Sequence, residues 1–109
     1  MPNHHFAIME KDPSRRRRYN TFAPKRLKLT AVDDEYIVPI LPALAEIDCF
    51  WHTLKAPRGG LAYTGITLIP PTSLDAVIEI VENISELQDL KNLLLEAKSR
   101  NKFIIHYGI

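Results

Sequence analysis

Apolar residues recur at helical spacing through the last third of the chain, in two successive stripes. The first stripe is Leu74, Val77, Ile78, Val81 and Ile84, and the second is Leu87, Leu90, Leu93, Leu94 and Ala97. Because this spacing turns one side of a helix toward a core, it predicts two amphipathic helices. Thr72 or Ser73 is the expected cap of the first, and Ser85 caps the second, which runs to about Arg100 and stops at a left-handed Asn101.

The remaining apolar segments have the length and composition of strands. Residues 103–109 are apolar on both faces apart from His106, which is typical of a strand covered on both sides. Alternation predicts a strand over residues 27–32, and residues 50–54 and 61–69 form a hairpin around the turn at 56–60. A weaker alternation over residues 4–9 predicts one more short strand.

The middle of the chain is interrupted by prolines. Asp33 or Asp34 can cap a helical segment that follows the strand at 27–32. Pro39 and Pro42 each lack a backbone donor, so the segment cannot form one long helix. A short helix over residues 42–47, with Pro42 as its first residue, fits best.

These elements predict an α+β fold in a single small domain. Four strands, at 27–32, 50–54, 61–69 and 103–109, would form a mixed sheet covered by the two C-terminal helices. Residues 27–109 make up this domain, and residues 1–26 precede it as a basic N-terminal arm. A chain of 109 residues that is 46% hydrophobic is large enough to build one core without disulfides or metals.

Charge is distributed unevenly along the chain. Residues 1–30 contain eight basic and two acidic residues, for a net charge of +6, whereas the remainder contains six basic and eleven acidic residues, for −5. A basic arm therefore precedes an acidic body. We expect a soluble cytosolic protein without membrane contact, because no apolar run is long enough for a membrane helix and the N-terminus lacks the apolar stretch of a secretion signal. We also expect no cofactor.

The arm combines arginines with aromatic rings. The run Arg15, Arg16, Arg17 and Arg18 is extended by Lys25, Arg26 and Lys28 and interleaved with Tyr19 and Phe22. Guanidinium groups match phosphate and rings stack on bases, so the composition is typical of nucleic-acid binding. A solvated arm, or one docked on the acidic helix face of Asp75, Glu79 and Glu82 in its own or a neighbouring subunit, is the alternative that we favour.

Two residue sets raise the question of catalysis or metal binding. Cys49 and His52 suggest a nucleophile and a base, but a spacing of three in a strand directs their side chains to opposite faces. After removal of Met1, the new terminus Pro2, Asn3 and His4 matches the square-planar nitrogen set that binds copper(II) or nickel(II). We expect no metal role, since such termini arise without one.

Pro2 directly ahead of a short strand also resembles the start of the tautomerase superfamily. The resemblance implies a terminal proline nitrogen acting as a base, and it covers only Met1, Pro2 and the strand. Members of that superfamily follow the first strand with a long helix, whereas a proline-bounded basic segment follows here. An enzyme that uses Pro2, or Cys49 with His52, is therefore the last of our hypotheses.

Several apolar and aromatic residues point toward association with another protein. At about 100° per residue, Leu95 lies roughly 140° from the centre of its helix's apolar stripe, so it should be exposed. Trp51, Tyr36 and Tyr63 are of a type favoured in binding hot spots, and Arg58 lies in the hairpin turn. The leading hypothesis is a non-catalytic protein-interaction module of the inhibitor, immunity or regulatory type. It would bind another protein or a second copy of itself, and nucleic-acid binding through the arm is the alternative.

Overall fold

A computed structural model describes residues 2–23 and 27–109, and its centre is an antiparallel sheet of six strands. The α+β prediction is confirmed, but the expected mixed, four-stranded sheet is wrong, because every neighbouring pair of these strands is antiparallel. Their order is β2-β1-β6-β5-β3-β4. The strands are β1 (Asn3–Ile8), β2 (Thr30–Asp33), β3 (Asp48–Trp51), β4 (Pro57–Gly59), β5 (Ile66–Ile69) and β6 (Ile104–Tyr107).

Two of the strands explain the error in strand number. The weak alternation over residues 4–9 does form a strand, β1, which pairs with β2 on one side and β6 on the other. The other addition, β4, lies inside the predicted turn at 56–60 and is an exposed edge strand that pairs only with β3. The predicted strand at 61–69 is shorter, since only Ile66–Ile69 pairs in the sheet.

The two long helices lie where the apolar stripes predict them, as α3 (Leu74–Val81) and α4 (Gln88–Arg100). Asn101 ends α4 in the left-handed conformation at φ 54°, as expected. The N-terminal caps of these helices differ from the prediction. The side chain of Ser73 does not cap α3 and instead donates to the carbonyl of Asp48 at 2.6 Å. Ser85 begins a 3-10 turn, Ser85–Leu87, that leads into α4.

The proline-interrupted segment forms short helical turns. These are α1 (Asp34–Ile37), a 3-10 turn (Val38–Ile40) and α2 (Leu41–Leu44). Asp33 caps α1 by accepting a hydrogen bond from the backbone N–H of Glu35 at 2.9 Å, as the sequence suggested. The expected helix at 42–47 begins one residue earlier and ends at Leu44.

The helices cover one face of the sheet and form the larger part of the core. Strand residues that alternate toward this side meet buried leucines of α4 and the apolar side of α3. The strands contribute Phe6, Ile8, Val32, Ile69 and Ile104, and the helices contribute Ile37, Leu74, Val77, Val81, Leu90 and Leu94. We call this side of the molecule the helical face.

The segment after β1 covers the opposite face of the sheet, which we call the arm face. Ala7, Ile66, Leu68, Ile105 and Tyr107 are buried there beneath Met9, Tyr19, Leu27 and Leu29. Within the described residues the arm therefore packs on the apolar side chains of the sheet, and it is neither a solvated tail nor docked on the acidic helices of its own chain. Docking on the helices of a neighbouring subunit stays a prediction. The expected domain boundary at residue 26 lies outside the described residues.

Candidate functional site

The arginine run lies on the surface of the arm face. All four side chains, Arg15 to Arg18, are exposed. Within residues 2–23 and 27–109, no carboxylate forms an ion pair with any of them. Arg17 lies 4.7 Å from the ring centroid of Tyr19, and the Nε of Arg18 donates to Oδ1 of Asn20 at 3.0 Å. The surface thus presents guanidinium groups that a partner anion could bind; Lys25 and Arg26 lie outside the described residues.

Two reciprocal hydrogen bonds between Tyr19 and His52 fix the arm to the sheet. The backbone N–H of Tyr19 donates to the carbonyl of His52 at 2.6 Å, and the imidazole Nδ1 of His52 donates to the carbonyl of Tyr19 at 2.8 Å. Because a carbonyl can only accept, the proton of a neutral His52 ring resides on Nδ1, which leaves Nε2 as an acceptor. Sequence reasoning missed this clamp, since its residues lie 33 positions apart.

A groove beside the clamp has a volume of about 640 Å³. Arg17 and Arg18 lie at its polar side, and Met9, Leu27 and Tyr107 supply apolar surface. This volume lies within the range of about 300–1,000 Å³ that is typical of ligand sites. The arm face therefore combines positive charge with a concave apolar surface.

A chain of buried hydrogen bonds lies between the sheet and α1. Nδ1 of His4 lies 2.8 Å from Nε2 of His106, and Nε2 of His4 lies 2.9 Å from Oδ1 of Asp34. Nδ1 of His106 lies 3.1 Å from the hydroxyl of Thr67, which in turn accepts from a backbone N–H at 2.7 Å. Tyr63 donates to the second oxygen of Asp34 at 2.7 Å. Both histidines and Thr67 are fully buried.

The charges along this chain follow from burial and hydrogen bonding. The hydrogen bond from His4, reinforced by Tyr63, holds the pKa of Asp34 below its ordinary value, and the same carboxylate raises the pKa of Tyr63. Burial, with the neighbouring histidines, lowers the pKa of His106 to about 3. His106 is thus a neutral, hydrogen-bonded core residue, as expected. Because neither imidazole ring has exposed surface, we read this hydrogen-bonded network as a support of the fold.

The structure separates Cys49 from His52. Cys49 is buried in the core on the helical face, and burial raises the pKa of its thiol to about 12. His52 follows β3 and is clamped to Tyr19 on the arm face. The two side chains therefore lie on opposite sides of the sheet, as their spacing indicated, and cannot act as nucleophile and base.

The proposed terminal metal set is not free to assemble in this fold. Pro2 and Asn3 are exposed, but both ring nitrogens of His4 are engaged by Asp34 and His106. Wrapping a copper ion with the His4 ring would break this buried network. Across the described ranges 2–23 and 27–109, no three His, Cys, Asp or Glu side chains are arranged to hold a metal ion.

The helical face is strongly acidic. Residues 33–47 and 71–102 contain ten acidic and four basic residues, for a net charge of −6. Asp75 pairs with Lys98 at 2.6 Å, while Glu79 and Glu82 are exposed. Leu95 is 41% exposed on α4, which confirms the prediction of its position. This surface faces away from the arm.

Tyr36 lies where negative charge converges on the helical face. Glu35, and then Glu86 and Asp33, raise the pKa of the Tyr36 phenol, together with its partial burial. These carboxylates come from the end of β2, from α1 and from the 3-10 turn before α4. Val38, two residues along the chain, is 47% exposed. Tyr36 with Asp33, Glu35 and Glu86 forms what we call the acidic patch, which sequence reasoning did not assemble.

The remaining predicted binding residues lie at the β4 end of the sheet. Trp51 is partly buried, and its indole N–H donates to the carbonyl of Gly60 at 2.9 Å. Arg58 is exposed on edge strand β4. They are therefore separate from the acidic patch, because β4 and β2 lie at opposite edges of the sheet.

Comparisons with protein families, curated proteins and solved structures found no match for this chain. Of the helices in the described residues, none has the length and apolar character required to cross a membrane.

Proposed function

We propose that this chain is a non-catalytic protein-interaction module whose helical face binds a basic partner. The observation that carries the proposal is the convergence of Asp33, Glu35 and Glu86 on Tyr36. Complementary charge accelerates encounter and selects among partners, and tyrosine is enriched among hot-spot residues. An inhibitor, immunity or regulatory protein that covers a basic active site would have this character.

The apolar residues beside the charges support a contact rather than a merely solvated surface. Tyr36 packs partly against the core, which restrains its ring, and Val38 is exposed two residues further along the same helical segment. A rigid aromatic ring costs little entropy when a partner covers it. Leu95 offers a second exposed apolar residue on the helical face.

Affinity purification with two charge-reversal variants tests this proposal. Glu86→Lys changes the acidic patch, and Asp12→Lys makes the same charge change at an exposed position on the arm face. We expect the purified partner to bind wild type and Asp12→Lys equally, and Glu86→Lys and Tyr36→Ala at least about tenfold more weakly. Equal binding to all four forms would contradict the proposal.

A second candidate is single-stranded nucleic-acid binding through the arm face. It is favoured by one observation: the exposed run Arg15 to Arg18 has no carboxylate partner within the described residues. The sheet stands between this run and the acidic helices, and packed layers are about 10 Å apart. That separation exceeds the Debye length of about 8 Å, so salt largely screens a polyanion on the arm face from the exposed carboxylates of the helices.

Fluorescence anisotropy with labelled RNA and DNA oligonucleotides tests the second candidate. We expect the affinity to fall steeply as the salt concentration rises from about 50 mM to about 200 mM, because contacts between arginine and phosphate weaken over this range. Arg15→Ser with Arg16→Ser should reduce both the affinity and the salt slope. Lys91→Ser with Lys98→Ser removes the same charge from the helical face and should change neither. No binding of the wild type at low salt would exclude this function.

A further inference from the structure

A second concave site lies on the arm face next to the clamp, and we call it the His52 pocket. It has a volume of about 330 Å³. His5 of β1, Tyr107 of β6 and Gly65 line its sheet side, and Asn20 and Phe22 of the arm line the other. The pocket therefore exists only because the arm crosses this face of the sheet.

His52 is held in this pocket at a cost in backbone energy. Its φ is 64°, in the left-handed region that residues with a side chain seldom adopt. Such conformations persist where surrounding structure fixes them, and they are concentrated at functional sites. The clamp to Tyr19 provides the fixing contacts.

The free nitrogen of His52 is available to a ligand. Nδ1 is bound to Tyr19, whereas Nε2 forms no hydrogen bond within the described residues. Every buried side-chain nitrogen or oxygen in the described residues has a partner, so this unpaired Nε2 is accessible to solvent. The absence of a side chain at Gly65 leaves room for the imidazole of His52, because a Cβ at position 65 would lie 2.7 Å from Nε2 of that ring.

Aromatic rings form one wall of the pocket. The ring centroid of Phe22 lies 5.6 Å from that of His5 and 4.9 Å from that of Tyr107, which it meets edge to face. Phe22 is nevertheless 56% exposed, the most exposed of the large apolar side chains in the described residues. A flat aromatic surface that is both anchored and open is suited to stacking against a planar ring.

The positively charged guanidinium of Arg18 lies at the rim of the pocket, where it contacts Asn20. Oδ1 of Asn20 accepts from Nε of Arg18, and Asn20 lines both the His52 pocket and the neighbouring groove that contains Arg18. The remaining N–H groups of the Arg18 guanidinium can bind an anion held at the rim, and guanidinium geometry matches phosphate.

From this geometry we infer that the His52 pocket binds a nucleoside phosphate, with the base stacked on Phe22 and hydrogen-bonded to Nε2 of His52, and the phosphate at Arg18. The nucleotide is either free or part of a single-stranded RNA. Only the second form rests on the proposed nucleic-acid binding. A planar heterocycle with a ring N–H or exocyclic amine supplies the donor that Nε2 accepts, and aromatic stacking beside a cationic group is a common way of binding single nucleotides of a strand.

Two-dimensional NMR and calorimetric titration with adenosine, cytidine, guanosine and uridine 5′-monophosphates test the inference. We expect backbone shifts confined to residues of the pocket and its rim. The control ligands are ribose 5-phosphate and inorganic phosphate, which lack the base. If no monophosphate shifts these residues, or if the controls shift them equally, the inference is overturned.

Matched variants separate the two halves of the site. Phe22→Ala and His52→Asn should each weaken nucleotide binding about tenfold, in line with the loss of one stacked ring or one base contact. Asparagine tolerates the left-handed conformation, so His52→Asn should keep the fold, which its unfolding curve checks. Unchanged nucleotide affinity in the exposed Phe22→Ala variant would overturn the inference without any question of folding.

Comparison with the oligonucleotide assay distinguishes the two proposals. Arg15→Ser with Arg16→Ser should leave mononucleotide affinity unchanged, because neither residue lines the pocket. Mononucleotide binding without RNA binding would support the pocket and exclude the nucleic-acid function. RNA binding without a mononucleotide response would support that function and overturn the pocket inference.

Discussion

Nδ1 of His4 lies 2.8 Å from Nε2 of His106, so a buried imidazole pair joins β1 to β6 across 102 positions of the sequence. With Asp34 ionised, the ring N–H at Nε2 of His4 donates to Oδ1 of Asp34. His106, which is neutral, bonds His4 through Nε2 and Thr67 through Nδ1. The network therefore links the sheet to α1.

Loss of one imidazole from this pair should be costly. His106→Ala leaves His4 and Thr67 without their partner and opens a cavity, so we expect the free energy of unfolding to fall by about 2–5 kcal/mol. His5→Ala is the matched control, since His5 is the partly exposed neighbour on the opposite face of β1, and it should cost less than about 1 kcal/mol. Urea unfolding measures both values, and similar losses would contradict this role for the pair.

Stability should depend on pH through His106. Its pKa in the folded protein is about 3, below the unfolded value of about 6.5, so the unfolded chain binds the additional proton between these values. The free energy of unfolding should therefore be highest above pH 6.5 and decrease by up to about 1.4 kcal/mol for each pH unit below it. The lowered pKa of Asp34 acts in the same direction, but only below about pH 4.

Urea unfolding at pH 5, 6, 7 and 8 measures this dependence. We expect stability to change little between pH 7 and 8 and to fall toward pH 5. The His106→Gln variant, which has no titrating ring, should show a shallower decrease over the same range. A wild-type stability that is constant from pH 7 to 5 would argue against a neutral buried His106.

Adjacent leucines of α4 should respond differently to the same change. Leu94 is fully buried, whereas Leu95 is 41% exposed. Leu94→Ala should lower the free energy of unfolding by about 2–5 kcal/mol, and Leu95→Ala should change it by no more than about 0.5 kcal/mol. Thermal and urea unfolding of the two variants check this, and a large loss for Leu95→Ala would place that side chain in the core.

Cys49 should be unreactive in the folded protein. The residue is 2% exposed and the pKa of its thiol is raised to about 12, so little thiolate forms at neutral pH and reagents have poor access. We expect iodoacetamide labelling at pH 8 to be at least about a hundredfold slower than in urea, as followed by mass spectrometry. Rapid labelling of the native protein would show that the core around Cys49 opens readily.

The sequence predicts best those elements whose buried side chains follow from the local spacing of apolar residues. The stripes of α3 and α4 place Val77 and Leu94 inward without knowledge of the partner surface. β1 gives a weak signal because His4 interrupts the apolar side of the strand. Its polarity is satisfied by Asp34 and His106, which no local pattern can reveal.

The other features that the sequence did not predict also depend on backbone groups far apart in the sequence. In β4, Pro57 and Arg58 are exposed, so the strand is defined only by pairing with β3 and has no side-chain periodicity. The clamp between Tyr19 and His52 consists of one backbone bond and one ring bond across 33 positions. The sequence did predict the exposure of Leu95, which follows from helix geometry alone. It also predicted the opposed directions of Cys49 and His52, although His52 lies beyond the end of β3 in the left-handed conformation.

The position of β6 has a consequence for the order of folding. β6 is the strand that joins the pair β1 and β2 to the group β3, β4 and β5, and it is synthesised after the other five strands of this sheet. Until it is inserted, β1 and β5 each expose an unpaired strand edge of the kind that promotes aggregation. Contacts over such sequence separations also form slowly. A nascent chain that lacks Ile104–Tyr107 should therefore be a natural substrate for chaperones, and the domain should become protease-resistant only after this strand has emerged.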